Sequence, residues 1–180
     1  AAILSAFSLP FLERHYTFYS RSMKVPFSMA AVELRAQGSS LSAPLPVESN
    51  TKGLRVYLAG GFYSGWQDKV IDSMPNLRFF DPREHGLETP SEYSLWDLEA
   101  IRQGDVVFAY LEPTNPGGYA LALEIGYARA LGKHIVFVDE KSAVEEETGH
   151  YLAMVRTSAD AVFRSLEEGI SFLRSMGKLC

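Results

Sequence analysis

Cysteine is almost missing: the one copy among 180 residues is Cys180. No disulfide framework, zinc-finger spacing or catalytic cysteine constellation can be built from a single thiol, so a reducing, cytoplasmic setting is expected. Basic excess is missing too, since 17 Lys and Arg face 22 Asp and Glu for a net charge of −5. A surface for a nucleic-acid polymer would show clustered Lys and Arg, and none is expected here. No window approaches about 18 uninterrupted apolar residues, so no membrane span or membrane partner is expected. Neither G-x-G-x-x-G nor G-x-x-x-x-G-K-[ST] occurs, which removes the key residues of dinucleotide and P-loop binding. What remains is a chain 47% apolar and 12% aromatic, enough for a globular domain with a real core.

The charge is uneven along that chain. Residues 1–50 carry four basic and three acidic side chains, nine serines and one glycine, Gly38, whereas the remaining residues carry thirteen basic and nineteen acidic side chains. From Gly38 to Gly53 the sequence GSSLSAPLPVESNTKG has linker composition and no apolar period. Residues 1–52 are therefore read as an N-terminal extension and linker packing loosely on a domain of residues 53–180. A targeting presequence is the alternative, although no amphipathic Arg-rich helix is present.

From Gly53 onward, strands and helices alternate. LRVYLAG (Leu54–Gly60), LRFFD (Leu77–Asp81), DVVFAYLE (Asp105–Glu112) and HIVFVDE (His134–Glu140) read as strands, and ADAVF as a weaker fifth. Helical spacing is expected over Gly65–Met74, over Glu92–Gln103 with Ser91 as N-cap, over Tyr119–Lys133, and in RSLEEGISFLRSM at the end. This alternation predicts an α/β fold, a parallel sheet flanked by helices. Ligands in such sheets bind on loops that leave the carboxyl ends of the strands. The rule selects GGFYSGWQ, DPREHG and EPTNPGGY.

Each loop has a plain reading and a chemical one. Gly60, Gly61 and Gly65 let backbone N–H groups approach an anion, or simply make a tight turn. Asp81 and Arg83 contact a ligand, or form an ion pair that stabilises their loop. The four histidines have no metal-ligand spacing, and no metal or cofactor is expected. Asp105 reads as a turn or cap acceptor, and Asp97 as a solvated helix carboxylate. Trp66 reads as core. Glu124 is the anomaly, because GGYALALEIGYARALG surrounds it with small and apolar residues. It either lies on a narrow exposed stripe with Arg129 or points into a cleft. Gly117 and Gly118 would allow close approach beside it.

Read in order, VYLAGGFYSGWQDK, DLEAIRQGDVVFAYLEP and NPGGYALALEIGYARALGKHIVFV make the chain resemble the nucleoside 2-deoxyribosyltransferase family over roughly residues 54–140. The motifs D-x-x-x-I-x-x-x-D-x-V and E-I-G-Y-A-x-A-x-G-K carry the resemblance most strongly. It implies a flavodoxin-like sheet of about five strands and an enzyme that cleaves N-glycosidic bonds. The match to the family nucleophile is Glu124, with Tyr57 beside it and Asp97 on the base side. Phe62 and Gln67 match residues near base or sugar, and DPREHG is a plausible base-contacting segment. Ser64, Gly117 and Gly118 are expected to face a phosphate if the substrate carries one. The family's acidic residue before the glycine stretch is replaced by NPGG, which leaves Asn115 as the nearest polar group. The implied partners are a small-molecule nucleoside or nucleotide and a free nucleobase. A homo-oligomer is also implied, whose neighbouring subunit completes the site. Transfer to another base, hydrolysis of a 5′-monophosphate, and a binding module without turnover are the readings to separate.

Overall fold

The computed structural model describes residues 53–177. The expected extension 1–52, its boundary near Lys52, and Cys180 lie outside these residues.

Five strands form one wholly parallel sheet: β1 (Arg55–Gly60), β2 (Arg78–Phe80), β3 (Val106–Leu111), β4 (His134–Asp139) and β5 (Ala161–Phe163). Their order across the sheet is β2-β1-β3-β4-β5, the flavodoxin-like arrangement. The helices between them are α1 (Trp66–Ser73), α2 (Pro90–Gln103), α3 (Tyr119–Ala130) and, after β5, α7 (Leu166–Gly177). Three short helices occupy the segment that carried no expected element: α4 (Lys141–Val144), α5 (Glu146–Tyr151) and α6 (Ala153–Ser158). No helix of the described residues is long and apolar enough to cross a membrane.

A parallel sheet covered on both faces needs strands that are apolar at every position, and β3, VVFAYL, is buried throughout. Alternation then divides the core. Tyr57, Ala59, Val107, Ala109, Leu111 and Phe137 pack beneath Trp96, Ile101, Leu121 and Ile125 of α2 and α3. Val56, Leu58, Phe108, Tyr110 and Val138 face the opposite way, onto Trp66 and Val70 of α1 and Leu166 and Leu173 of α7. Trp66 is core, 6.0 Å from the Phe108 ring and edge-on to Tyr110 at 5.4 Å. Asp105 is the expected structural acceptor, since it binds the backbone N–H and guanidinium of Arg55.

Helix α2 starts earlier than its sequence suggests. Thr89 is the N-cap rather than Ser91, because Pro90 has the fixed φ suited to the first helical position. Helix α3 stops at Ala130 rather than Lys133, and Gly132, at φ 68°, turns the chain into β4.

The sheet order reverses direction between β1 and β3, and in sheets of this kind ligands bind in the crevice outside the carboxyl ends of the strands at that point. Gly60 ends β1 there. A Cβ there would stand 2.4 Å from the Tyr110 carbonyl oxygen, and its φ is 148°, so only glycine lets the two strands run this close.

Candidate active site

Three side chains from three elements meet on the α2/α3 face of that crevice. Tyr57 projects from the middle of β1, Glu124 from the second turn of α3, and Asp97 from the middle of α2. The Tyr57 hydroxyl donates to Glu124 Oε1 at 2.8 Å. Asp97 bears on the same hydroxyl, by charge and by hydrogen bonding. Its Oδ1 is buried and accepts no hydrogen bond from the described residues.

Glu124 is 9% exposed, which decides between its two readings: it is not on a solvated stripe. Leu121, Ile125 and Ala128 of α3 go into the core, while Leu123 and Arg129 take the outer side. Glu124 follows the buried set. Burial pushes its carboxyl from an ordinary 4.5 up to about 8, with Asp97 raising it further and the Tyr57 hydrogen bond pulling it back. Burial likewise raises Asp97, while the Tyr57 hydroxyl and the nearby His85 lower it. Tyr57 itself is held well above the phenol range, first by burial and then by the two carboxylates.

These ionisations affect stability. Unfolded Glu124 titrates near 4.5 and folded Glu124 near 8, so the folded state binds the proton more tightly. The resulting stabilisation is full below about pH 4.5 and is lost as pH rises through about 8. Urea titrations at about pH 5 and pH 8.5 are expected to show this decline in the parent. Glu124→Gln, which has no charge to bury, is expected to flatten it. A decline of the same size in the variant would assign the effect to other groups.

The remaining residues singled out by sequence are placed as follows. Gln67 is fully buried and donates to the Gly61 carbonyl at 3.0 Å, alongside Trp66 Nε1 at 2.8 Å. These two bonds clamp the β1–α1 loop. Gly65 caps α1 in the left-handed region, and Ser64, Phe62 (54% exposed) and Tyr63 (70%) line the open side of the loop. Asp81 and Arg83 are committed to each other, at 2.6 Å, and Arg83 also reaches Asp68 at 2.7 Å. Asp81 Oδ1 further accepts from the Arg83 N–H, so the loop-stabilising ion pair is what the geometry contains. Asn115 Oδ1 accepts from the N–H groups of Gly117 and Gly118 at 3.0 and 2.8 Å. It thereby fixes the turn that starts α3.

Two residues of the crevice escaped the sequence reading. His85 accepts from Leu87 N–H at its Nδ1 (2.8 Å), stacks on Tyr93 and meets Trp96 edge-on at 5.1 Å. Tyr93 lies one helical turn before Asp97 on the same face of α2, so the imidazole stands next to that carboxylate. Glu112 follows β3 directly. It is 1% exposed and its Oε1 accepts from Tyr63 N–H at 3.3 Å. The signal for Glu112 was an acid ending six apolar residues at the ligand end of a strand. For His85 the signal was its place in DPREHG, the loop after the second strand that was expected to contact the base.

Among the described residues, no three His, Cys, Asp or Glu side chains converge as a metal site. No curated protein sequence matches the chain. Among solved structures it is similar to the Clostridium botulinum CMP N-glycosidase BcmB, at 18% identity over 68% of this chain and 98% of that one, with TM-score 0.49. It is similar to a 2-desoxiribosyltransferase from Leishmania mexicana, at 21% identity over 66% and 95%, with TM-score 0.53. It is also similar to BlsM, at 24% over 66% and 86%, with TM-score 0.50. The last two share the fold. The sequence profile described as nucleoside 2-deoxyribosyltransferase like matches residues 53–142, the segment that holds the β1–β3 crevice and all three clustered side chains. The chain belongs to the nucleoside 2-deoxyribosyltransferase-like family.

Proposed function

We propose that this protein cleaves the N-glycosidic bond of (deoxy)nucleosides by a retaining double displacement and passes the sugar to another nucleobase or to water. The observation that carries the reading is one buried hydroxyl, Tyr57, serving two carboxyls on separate helices. Cleavage through an oxocarbenium-like transition state uses one carboxylate at the anomeric carbon and one acid at the leaving group.

In the first step an ionised Glu124 oxygen bonds to C1′ while the C1′–N bond breaks. The bond pair departs with the base, and a proton from Asp97 neutralises it. In the second step an incoming base or water attacks C1′ and yields its proton to Asp97. Glu124 leaves as carboxylate. Two inversions give net retention. Tyr57 holds Oε1 and thereby aims the other oxygen of Glu124. Asp97 and Glu124 repel one another as anions, so near neutral pH the pair keeps a proton between them. The reactive arrangement has that proton on Asp97. Phe62 and Tyr63, exposed on the β1–α1 loop, supply apolar surface for a base.

Incubation with a panel of deoxynucleosides and ribonucleosides and their monophosphates, with and without a second free base, tests the assignment. Exchange of one base for another is the expected result. Base release without exchange makes the protein an N-glycoside hydrolase. No turnover on any member of the panel makes it a binding module and ends the enzymatic reading.

A further inference from the structure

The loop after β2 ends in an imidazole that the chemistry above does not use. Asp81 caps the short 3₁₀ turn Pro82–Glu84, and the Asp81–Arg83–Asp68 ion pairs hold that turn in place. Gly86, at φ 62°, then turns the chain, so that the Leu87 N–H comes back to His85 Nδ1 at 2.8 Å. Leu87 itself packs on the core that contains Trp96. The ring lies parallel to Tyr93 and edge-on to Trp96. An accepting Nδ1 carries no proton, so the neutral imidazole bears its proton on Nε2. Turning the ring over would set a carbon against the Leu87 N–H and lose that bond, so the fold fixes the tautomer. Among the described residues the Nε2–H meets no acceptor.

We propose that His85 selects the leaving base: its fixed Nε2–H donates to an oxygen on carbon 6 of a purine, so the site takes 6-oxopurine nucleosides ahead of their 6-amino counterparts. This rests on the reading of the crevice as a nucleoside site, and it names the class of base.

The imidazole and the acid of the mechanism stand side by side. Tyr93 and Trp96, which hold the ring, flank Asp97 on α2, one a helical turn before it and the other adjacent. A charge on His85 lowers that carboxyl. Trp96 packs with Tyr57 in one layer of the core, so imidazole, acid and nucleophile share a face of the sheet. His85 and Asp97 are both half-buried, which leaves each open to a ligand. A 6-oxopurine presents N7 and O6 as neighbouring acceptors, whereas a 6-aminopurine presents N7 beside an N–H donor. With the Asp97 O–H on N7, the Nε2–H falls to the group on carbon 6. As the C1′–N9 bond pair passes onto the base and N7 takes the Asp97 proton, a donor at O6 holds the charge that the base still carries. A 6-amino group points its own N–H at the Nε2–H and leaves both donors unpaired. The fixed tautomer gives the ring no way to adapt.

Calorimetric binding to the full chain tests this, using the Glu124→Ala background so that no bond is broken and differences in leaving-group reactivity drop out. The ligands are three deoxynucleosides whose purines carry oxygen, hydrogen or an amino group on carbon 6. The oxo compound is expected to bind at least about tenfold more tightly than the amino compound, as an unpaired donor requires. Adding His85→Gln, whose amide can turn either its oxygen or its N–H to the base, is expected to narrow that ratio at least about fivefold. Equal binding, tighter binding of the amino compound, or a ratio that His85→Gln leaves unmoved overturns the proposal. Should circular dichroism show the second variant unfolded, the purine with hydrogen on carbon 6 decides. It lacks both the acceptor and the competing donor, so it is expected to bind between the other two, and any other rank overturns the proposal. A wild-type protein that binds in this order yet turns nothing over refutes the enzymatic reading alone. One that binds and turns over all three alike refutes the preference alone, and binding of none of them overturns both.

Discussion

Replacing Glu124 with alanine is expected to lower base exchange and base release by at least about 10³-fold, because loss of a nucleophile leaves only binding and polarisation to catalyse the step. Asp97 cannot take over. It comes from a different helix, α2 rather than α3, and in the proposed mechanism it faces the leaving base. The effect should fall on kcat, with little change in nucleoside affinity. Chromatographic assay of free base measures the loss. Mass spectrometry of protein quenched with a slow 2-fluoro substrate is expected to show a glycosyl adduct on the peptide containing Glu124, absent in the variant. A variant that keeps full activity ends the mechanism. In the parent, the rate is expected to follow a bell in pH, highest where the Glu124–Asp97 pair holds a single proton and lower where it holds two or none. The two limbs belong to the pair rather than to either carboxyl alone.

The second large effect is expected from Asp97→Asn. General-acid assistance contributes about 10²–10⁴-fold, and its size depends on how badly the leaving base needs a proton. Loss should therefore be greatest for nucleosides with strongly basic leaving groups and small for those whose base departs readily as an anion. A plot of log rate against leaving-group pKa is expected to steepen in the variant. A purely structural aspartate would shift every substrate by the same factor and leave the slope alone. The pH profile provides an independent check. Asp97 raises the Glu124 carboxyl, so removing its charge is expected to bring the ascending limb to lower pH. An unchanged limb together with an unchanged slope would remove Asp97 from the chemistry.

Much of the scaffold was legible beforehand for a local reason. The strands β1, β3 and β4 are buried on both faces, so their sequences are continuous runs of β-branched and aromatic residues that no helix period can imitate. Their alternation with helices of ten or so residues sufficed for the α/β class. The segment of α4, α5 and α6 was silent because helices of four to six residues bury nothing fully on their own, and no apolar period can develop over so few positions. The start of α2 was misplaced because Ser91 has the side chain of a good cap, yet Pro90 had already set the backbone.

The site divides along the same line. The spacing around Glu124, the placement of loops after strands and the order of motifs are properties of the chain; they singled out Glu124 and carried the family resemblance, which in turn implied Tyr57 and Asp97, although Asp97 by itself read as a solvated helix carboxylate. Whether Glu124 faced solvent or a cleft was not decidable from α3, because a helix apolar nearly all round has no outer face in its sequence. The sheet decided it by placing Tyr57, sixty-seven residues earlier, under that turn. The same holds for Glu112, whose carboxylate was closed off only by the meeting of Gly61 with the end of β3, whereas Asn115 bonds the N–H groups two and three residues on and is local turn chemistry. Periodicity and turn chemistry act over a few residues and are written along the chain. Desolvation and partner choice depend on segments brought together from fifty or more residues apart, so they exist only once the sheet has formed.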